Sequence, residues 1–248
     1  MLMDKRLTAL VVATVATLLP VKAQSDDFGV WLDAGVTKKI NRKWSIDAEA
    51  GLRTRDNSKE FDRWSVGVAA NYKLTSFLKA SVGYDLLVDH RELAVTYHKN
   101  GHINKITPEY WWPRHRLSAD LTGSMRFGRL GLSLRERYQL TYRAEATGKK
   151  FDADTREWGS VKSKTSHLLR SRLQASWHIR KCPFTPQAGV ELFTGNGGLQ
   201  KTRWMLGTAY SLDKHHELKL AYRYQTVNGD DDDEPGTHVL GVGYTYKF

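Results

Sequence analysis

Arginines and carboxylates that recur two residues apart are the groups in this chain best placed to do chemistry. The set is Arg53, Arg63, Arg116, Arg126, Arg135, Arg137, Arg170, Arg172 and Arg223 against Asp33, Asp47, Glu49, Asp85, Asp120, Glu191 and Glu217. Gathered around a pore, such a set makes a filter that favours anions. Paired with one another away from water, it makes a rigid plug. Other groups suggest other chemistry. His115 with Ser118, and Ser166 with His167, approximate a nucleophile and base, but neither carries a recognisable signature. The run Asp230-Asp231-Asp232-Asp233-Glu234 lacks the alternating ligands and glycine of a calcium loop, and reads as a solvated surface loop. His98, His102 and Glu109 share one polar stretch with Trp111 and Trp112; metal binding is the weaker reading there, and the two tryptophans suit a membrane interface. No cofactor and no metal is expected.

What must position these groups is read from alternation. In Trp44 to Arg53, one face is Trp44, Ile46, Ala48, Ala50 and Leu52, and the other is Ser45, Asp47, Glu49, Gly51 and Arg53. Successive strand side chains point to opposite faces, so this segment has one oily face and one charged face. The same division recurs from Trp64 to Leu74, Leu78 to Leu86, Arg116 to Arg126, Leu169 to Ile179 and Glu217 to Gln225. Glu136 breaks the pattern, since counting from Leu130 to Tyr142 puts it on the oily face. A carboxylate exposed there is costly, so a β-bulge turning it inward towards Arg135 or Arg137 is the favoured expectation over a functional role.

A soluble sandwich also alternates. Two features favour a membrane barrel. Trp44, Trp64, Tyr72, Tyr84, Tyr142, Trp177, Trp204 and Tyr210 lie near the ends of oily faces, where aromatic girdles meet the lipid interfaces. The opposite faces are rich in Arg, Asp and Glu rather than Ser and Thr, which suits a narrow lumen filled by paired charge. Mean hydropathy is −0.53, and no run of roughly eighteen apolar residues follows the N-terminal region, which excludes a helical membrane protein but not a barrel. The net charge is +11; the basic residues are spread at strand spacing without a basic helix, so no nucleic-acid partner is expected. The lone Cys182 permits no internal disulfide.

The fold expected is all-β, an antiparallel transmembrane barrel of about ten to twelve strands. Tight turns near residues 41–43, 75–76, 128–129, 181–183 and 213–215 alternate with longer polar connections near 54–62, 90–114, 145–165, 195–202 and 227–237. Single-chain bacterial barrels have even strand numbers, yet the segments count to about eleven. The difficulty falls on Phe28 to Thr37, which would have to run inward from the cell surface. In so narrow a barrel the plug is the favoured reading of the charge set, with small-solute passage or a lipid-acting barrel enzyme as alternatives.

The two chain ends suit export. Lys5 and Arg6 precede the apolar run Leu7 to Pro20, and Val21-Lys22-Ala23 fits a cleavage site before Gln24. Residues 1–23 are thus expected to be a signal peptide and 24–248 the barrel. Val239 to Phe248 alternates strictly, and Tyr244, Tyr246 and Phe248 resemble the terminal-strand signal recognised by the barrel-assembly machinery. The segments Glu49 to Asn57, Pro113 to Arg116 and Leu134 to Arg143 resemble a bacterial outer-membrane β-barrel family known only as a domain of unknown function. The resemblance spans nearly all of residues 24–248, and implies a barrel and export without an activity or a catalytic residue. The expected location is the cell outer membrane, and the expected partners are its lipid, lipopolysaccharide and the assembly machinery.

Overall fold

The computed structural model describes residues 27–227 and 237–248. The expected signal peptide and the acidic run at 230–234 lie outside the described residues. Eleven strands close into a barrel: β1 (Asp27–Lys39), β2 (Trp44–Arg55), β3 (Glu60–Lys73), β4 (Leu78–Arg91), β7 (Tyr110–Phe127), β8 (Leu130–Arg143), β11 (Lys164–Trp177), β12 (Phe184–Gly195), β13 (Gly198–Ser211), β14 (His216–Val227) and β15 (Thr237–Lys247). Four shorter strands, β5 (Ala94–Tyr97), β6 (Ile103–Thr107), β9 (Ala146–Asp152) and β10 (Glu157–Val161), form a separate sheet.

Strand number and closure are linked by parity. Strands joined by hairpins alternate in direction, so an even number brings the first and last together antiparallel and an odd number brings them together parallel. Here β1 pairs with β2 antiparallel and with β15 parallel, in unbroken register from Asp27↔Thr237 to Thr37↔Lys247. The expectation of an even number is therefore overturned. β1 does run from the loop end to the turn end, and the barrel accommodates it through one parallel seam.

The turn end is built by short polar residues that bond to their own backbone. Asn41 Oδ1 accepts from the amides of Lys43 and Trp44 at 2.8 and 2.9 Å. Thr75 Oγ1 accepts from Leu78 at 3.0 Å. Asp213 Oδ1 accepts from His215 and His216, both at 2.7 Å, and these amides hold its carboxyl below the usual carboxylate range.

The loop end differs from expectation. The connections at 54–62 and 195–202 are tight hairpins, with register shifts at Arg53/Thr54 and Phe193/Thr194. Asp56, Asn57 and Ser58 hold positive φ in the first of them. The connections at 90–114 and 145–165 are not irregular loops. They fold into the four-stranded sheet, joined where Lys105 and Ile106 meet Asp152 and Phe151. Polar composition suggested loops because these short strands have little to bury beyond one another.

Alternation then sorts the side chains. Leu32, Ile46, Val66, Val82, Leu121, Leu134, Leu173, Leu206, Leu220 and Val242 are all exposed on the outer wall. Aromatic rings gather at both ends of that wall. Trp44/Tyr72 and Phe184/Tyr210 lie 4.7 and 4.6 Å apart at the turn end, with Trp64, Trp111 and Tyr142 exposed near the loop ends of their strands.

Candidate functional site

The alternate positions face the lumen, and its loop-end half is packed. Glu191, in β12, is 1% exposed. Its carboxylate accepts from Arg135 at 3.0 Å, from Arg170 at 2.9 Å on both oxygens, and from Arg203 at 3.2 Å. Arg203 also grips Gln225 Oε1 at 2.5 and 3.1 Å. Asp120 holds Arg137 through two bonds of 2.6 and 2.5 Å. Asp89, also buried, lies between Arg63 and Arg114 and pairs with both. Guanidinium forks match carboxylates in this two-point way, and such pairs are the strong ones among charged contacts.

Three guanidiniums on one carboxylate leave an excess of positive charge. Aromatic faces take up part of it. Trp31 lies 3.9 Å from Arg53, 4.8 Å from Arg203 and 5.2 Å from Arg223. Phe193 lies 4.8 Å from Arg170 and 4.7 Å from Arg203. Trp112 lies 4.8 Å from Arg143. A cation over an aromatic face contributes about 0.5–2 kcal/mol, more as water is excluded. Leu87, Phe193, Val239 and Trp112 complete the packing, all buried. Glycine makes room for charge at two points. A Cβ on Gly241 would lie 1.8 Å from the Arg223 guanidinium, and one on Gly67 would lie 2.2 Å from Asp85.

The remaining expected residues are dispersed. Arg116 donates to Thr141 at 3.2 Å, and Arg172 stands in register between Arg135 and Glu191. Asp47 accepts from Asn71 at 2.9 Å. Glu49 faces the lumen where it is open, with Asp33 one strand away. Glu217 is held by Lys247 and Lys219 at 2.5 and 3.0 Å, and Arg126 bonds back to the Gly128 carbonyl at 3.0 Å, at the turn end. Sequence reasoning missed Asp89, Arg114, Arg203 and the three rings. The same parity would have found them had the strands been carried further towards the loops. At Leu86-Leu87-Val88 three adjacent apolar residues hide the alternation.

Glu136 corrects an expectation. Its strand pairs without a register shift on either side, against Leu121 and Ser171. No bulge turns it inward. It stays on the outer wall and accepts from the Ser171 hydroxyl at 2.6 Å. The tryptophan pair also divides, with Trp111 47% exposed outside and Trp112 7% exposed inside.

The nucleophile–base pairs come apart for a simple reason: an odd separation along a strand puts two side chains on opposite faces. His115 is outside, 2.7 Å from the Tyr84 hydroxyl, while Ser118 is buried in the lumen. His167 is outside, 2.6 Å from the Tyr138 hydroxyl, and Ser166 faces in. Tyr222 and His238 repeat this diagonal pairing at 2.5 Å. His98 and Glu109 are drawn to different partners, Asp154 at 2.9 Å and His90 at 2.6 Å, and no group of three potential metal ligands stands among the described residues. Tyr244, Tyr246 and Phe248 line the outer wall at the turn end, the last two rings 4.6 Å apart.

An apolar wall with aromatic ends, around a lumen of charge, defines the class as a transmembrane β-barrel. The fold is shared with a solved autotransporter domain. The β domain of the Bordetella autotransporter BrkA is similar at 15% identity, over 81% of this chain and 79% of that one, with a TM-score of 0.53. The NanC porin is similar at 14% identity over 90% of this chain and all of that one, with a TM-score of 0.49. No curated protein matches. The chain belongs to the family described as protein of unknown function (DUF2490), whose profile matches residues 28–235.

Proposed function

We propose that the protein is a barrel of the bacterial outer membrane whose lumen is closed at rest by the loop-end network. The observation that carries this is Glu191, buried and shared by Arg135, Arg170 and Arg203, with Trp31 and Phe193 stacked on the same guanidiniums. Arg135, Arg170 and Arg203 in this layer are engaged by Glu191, Arg63 and Arg114 by Asp89, and Arg53 and Arg223 by the Trp31 ring, which supports a lumen without a file of solvated cations to conduct anions. In this reading the turn end faces the periplasm and the loop end faces lipopolysaccharide. Tyr244, Tyr246 and Phe248 present the assembly signal, and export removes residues 1–23.

Purified protein in planar bilayers should pass little or no steady current. Large anion-selective currents from the wild type would overturn the plug and favour passage of small anions instead. Location is tested separately: the protein should fractionate with outer membranes and shift its gel mobility on boiling.

A further inference from the structure

Below the plug, the turn-end mouth of the lumen is a cavity of about 990 Å³. Lys39, Arg42, Lys43, Lys73 and Lys79 line it, and no Asp or Glu does. Three of these lysines stand at the lumen-facing ends of their strands: Lys39 at the end of β1, Lys73 at the end of β3 and Lys79 at the start of β4. Lys73 and Lys79 are direct cross-strand partners. Like charges directly opposed on one face of a sheet destabilise it, and none of the five cations has a carboxylate partner among the described residues. Of the acids one step deeper, Asp120 is paired with Arg137, while Asp47 accepts from the amide of Asn71 and lies outside the cavity lining. Thus a concave site the size of a ligand pocket carries converging positive charge with no carboxylate in its lining.

We propose that this mouth is a binding site for a soluble, multiply charged anion bearing phosphate or carboxylate groups and entering from the turn end. Such a ligand offsets the Lys73/Lys79 repulsion, and with Lys39 across the mouth it is held from three strands. Lys39, Lys73 and Lys79 stand at lumen-facing strand positions rather than on the wall, which favours a solute over a lipid headgroup. The flexible ammonium groups suit anions of varied shape, in contrast to the rigid forks of the plug. The site does not depend on whether the barrel conducts.

The test is titration of tripolyphosphate and of citrate into the folded protein in a neutral detergent, followed by calorimetry and by thermal unfolding. Wild type should bind at least one of them saturably, more weakly as salt rises, and should unfold at higher temperature with it. Preference between the two assigns phosphate or carboxylate chemistry; equal binding marks a site that reads charge alone. Lys73→Gln with Lys79→Gln should weaken binding about tenfold or more and abolish the thermal shift, without lowering the midpoint of the unliganded protein. Lys39→Gln, on a separate strand, is the second variant, expected to weaken binding while leaving gel mobility unchanged. Lys149→Gln with Lys150→Gln, removing equal charge at the loop end, should bind as wild type does. No saturable binding of either probe, or an equal loss in the loop-end control, would overturn the site.

Discussion

The two halves of the lumen are built from the same inward-facing strand positions, and both are basic, yet they treat charge in opposite ways. In the loop-end half the cations are arginines, Glu191 is shared by three of them and Asp89 by two, and aromatic rings cover part of what remains. In the turn-end half the cations are mostly lysines open to solvent; Lys219 and Lys247 share Glu217, while those that line the cavity meet no acid in its lining. The difference follows from hydration. A guanidinium is weakly hydrated, stacks on rings and meets a carboxylate at two points, so it tolerates a dry layer. An ammonium is strongly hydrated and stays where water can reach it. Residue choice along each strand thus marks where water stops.

The largest effect should come from removing the hub of the dry half. Glu191→Leu would leave Arg135, Arg170 and Arg203 facing one another without their carboxylate. Breaking a buried pair in this way costs about 3–5 kcal/mol, so urea unfolding in vesicles should show a loss of that size or no folded barrel at all. A loss below about 1 kcal/mol, the level of an exposed pair, would erase the contrast between the halves.

Next is a pair of substitutions one residue apart. Leu121→Arg puts a cation on the lipid wall, where Leu121 is exposed, at a cost of about 2–4 kcal/mol near the midplane. Thr122→Arg adds one to the wet mouth instead. Its folded yield in vesicles should fall less than that of Leu121→Arg, the cost being only the like charges of Lys79 and Arg135 beside it, and it should tighten rather than weaken anion binding. Equal damage from both would show that the turn-end half is as tightly filled as the other.

A smaller effect belongs to the wall itself. Glu136→Leu removes a carboxylate whose partner there is Ser171, and should raise stability by about 1 kcal/mol, since acids on a lipid face cost less than basic residues do. A clear loss of stability would mean that Glu136 meets something beyond its own barrel. The smallest change is Tyr138→Phe, which deletes the hydroxyl bonded to His167. The expected loss is about 1 kcal/mol or less, the usual net contribution of one hydrogen bond, with bilayer current and anion binding both unaltered.

Most of the wall was legible in the sequence, because a period of two needs only the backbone pleat and the choice of face. Trp44, Ile46, Ala48, Ala50 and Leu52 could be placed together without knowing any partner strand. The girdles and the lumen arginines follow by the same count. Strand ends were harder. Leu87, Asp89 and Trp112 lie where three adjacent apolar residues blur the alternation, and the unbroken register of β4 with its neighbours carries the parity through to them. Glu136 was expected to turn inward on local cost alone, but a bulge would have broken two registers to relieve one carboxylate that a neighbouring hydroxyl already satisfies.

Alternation of oily and charged residues, written into consecutive positions, determined by itself that this chain makes strands with one face for lipid and one for the lumen. Closure was decided only in three dimensions. Whether Asp27–Lys39 meets Thr237–Lys247 parallel or antiparallel depends on how many hairpins lie between them, and two stretches that read as loops are sheet. The contents of the lumen were decided there too. Glu191 is 56 residues from Arg135 in the chain, and no local pattern joins them. Strand tilt and register bring the two to one point, so the chain records that charges face inward, and the barrel settles which are paired and which are left to water.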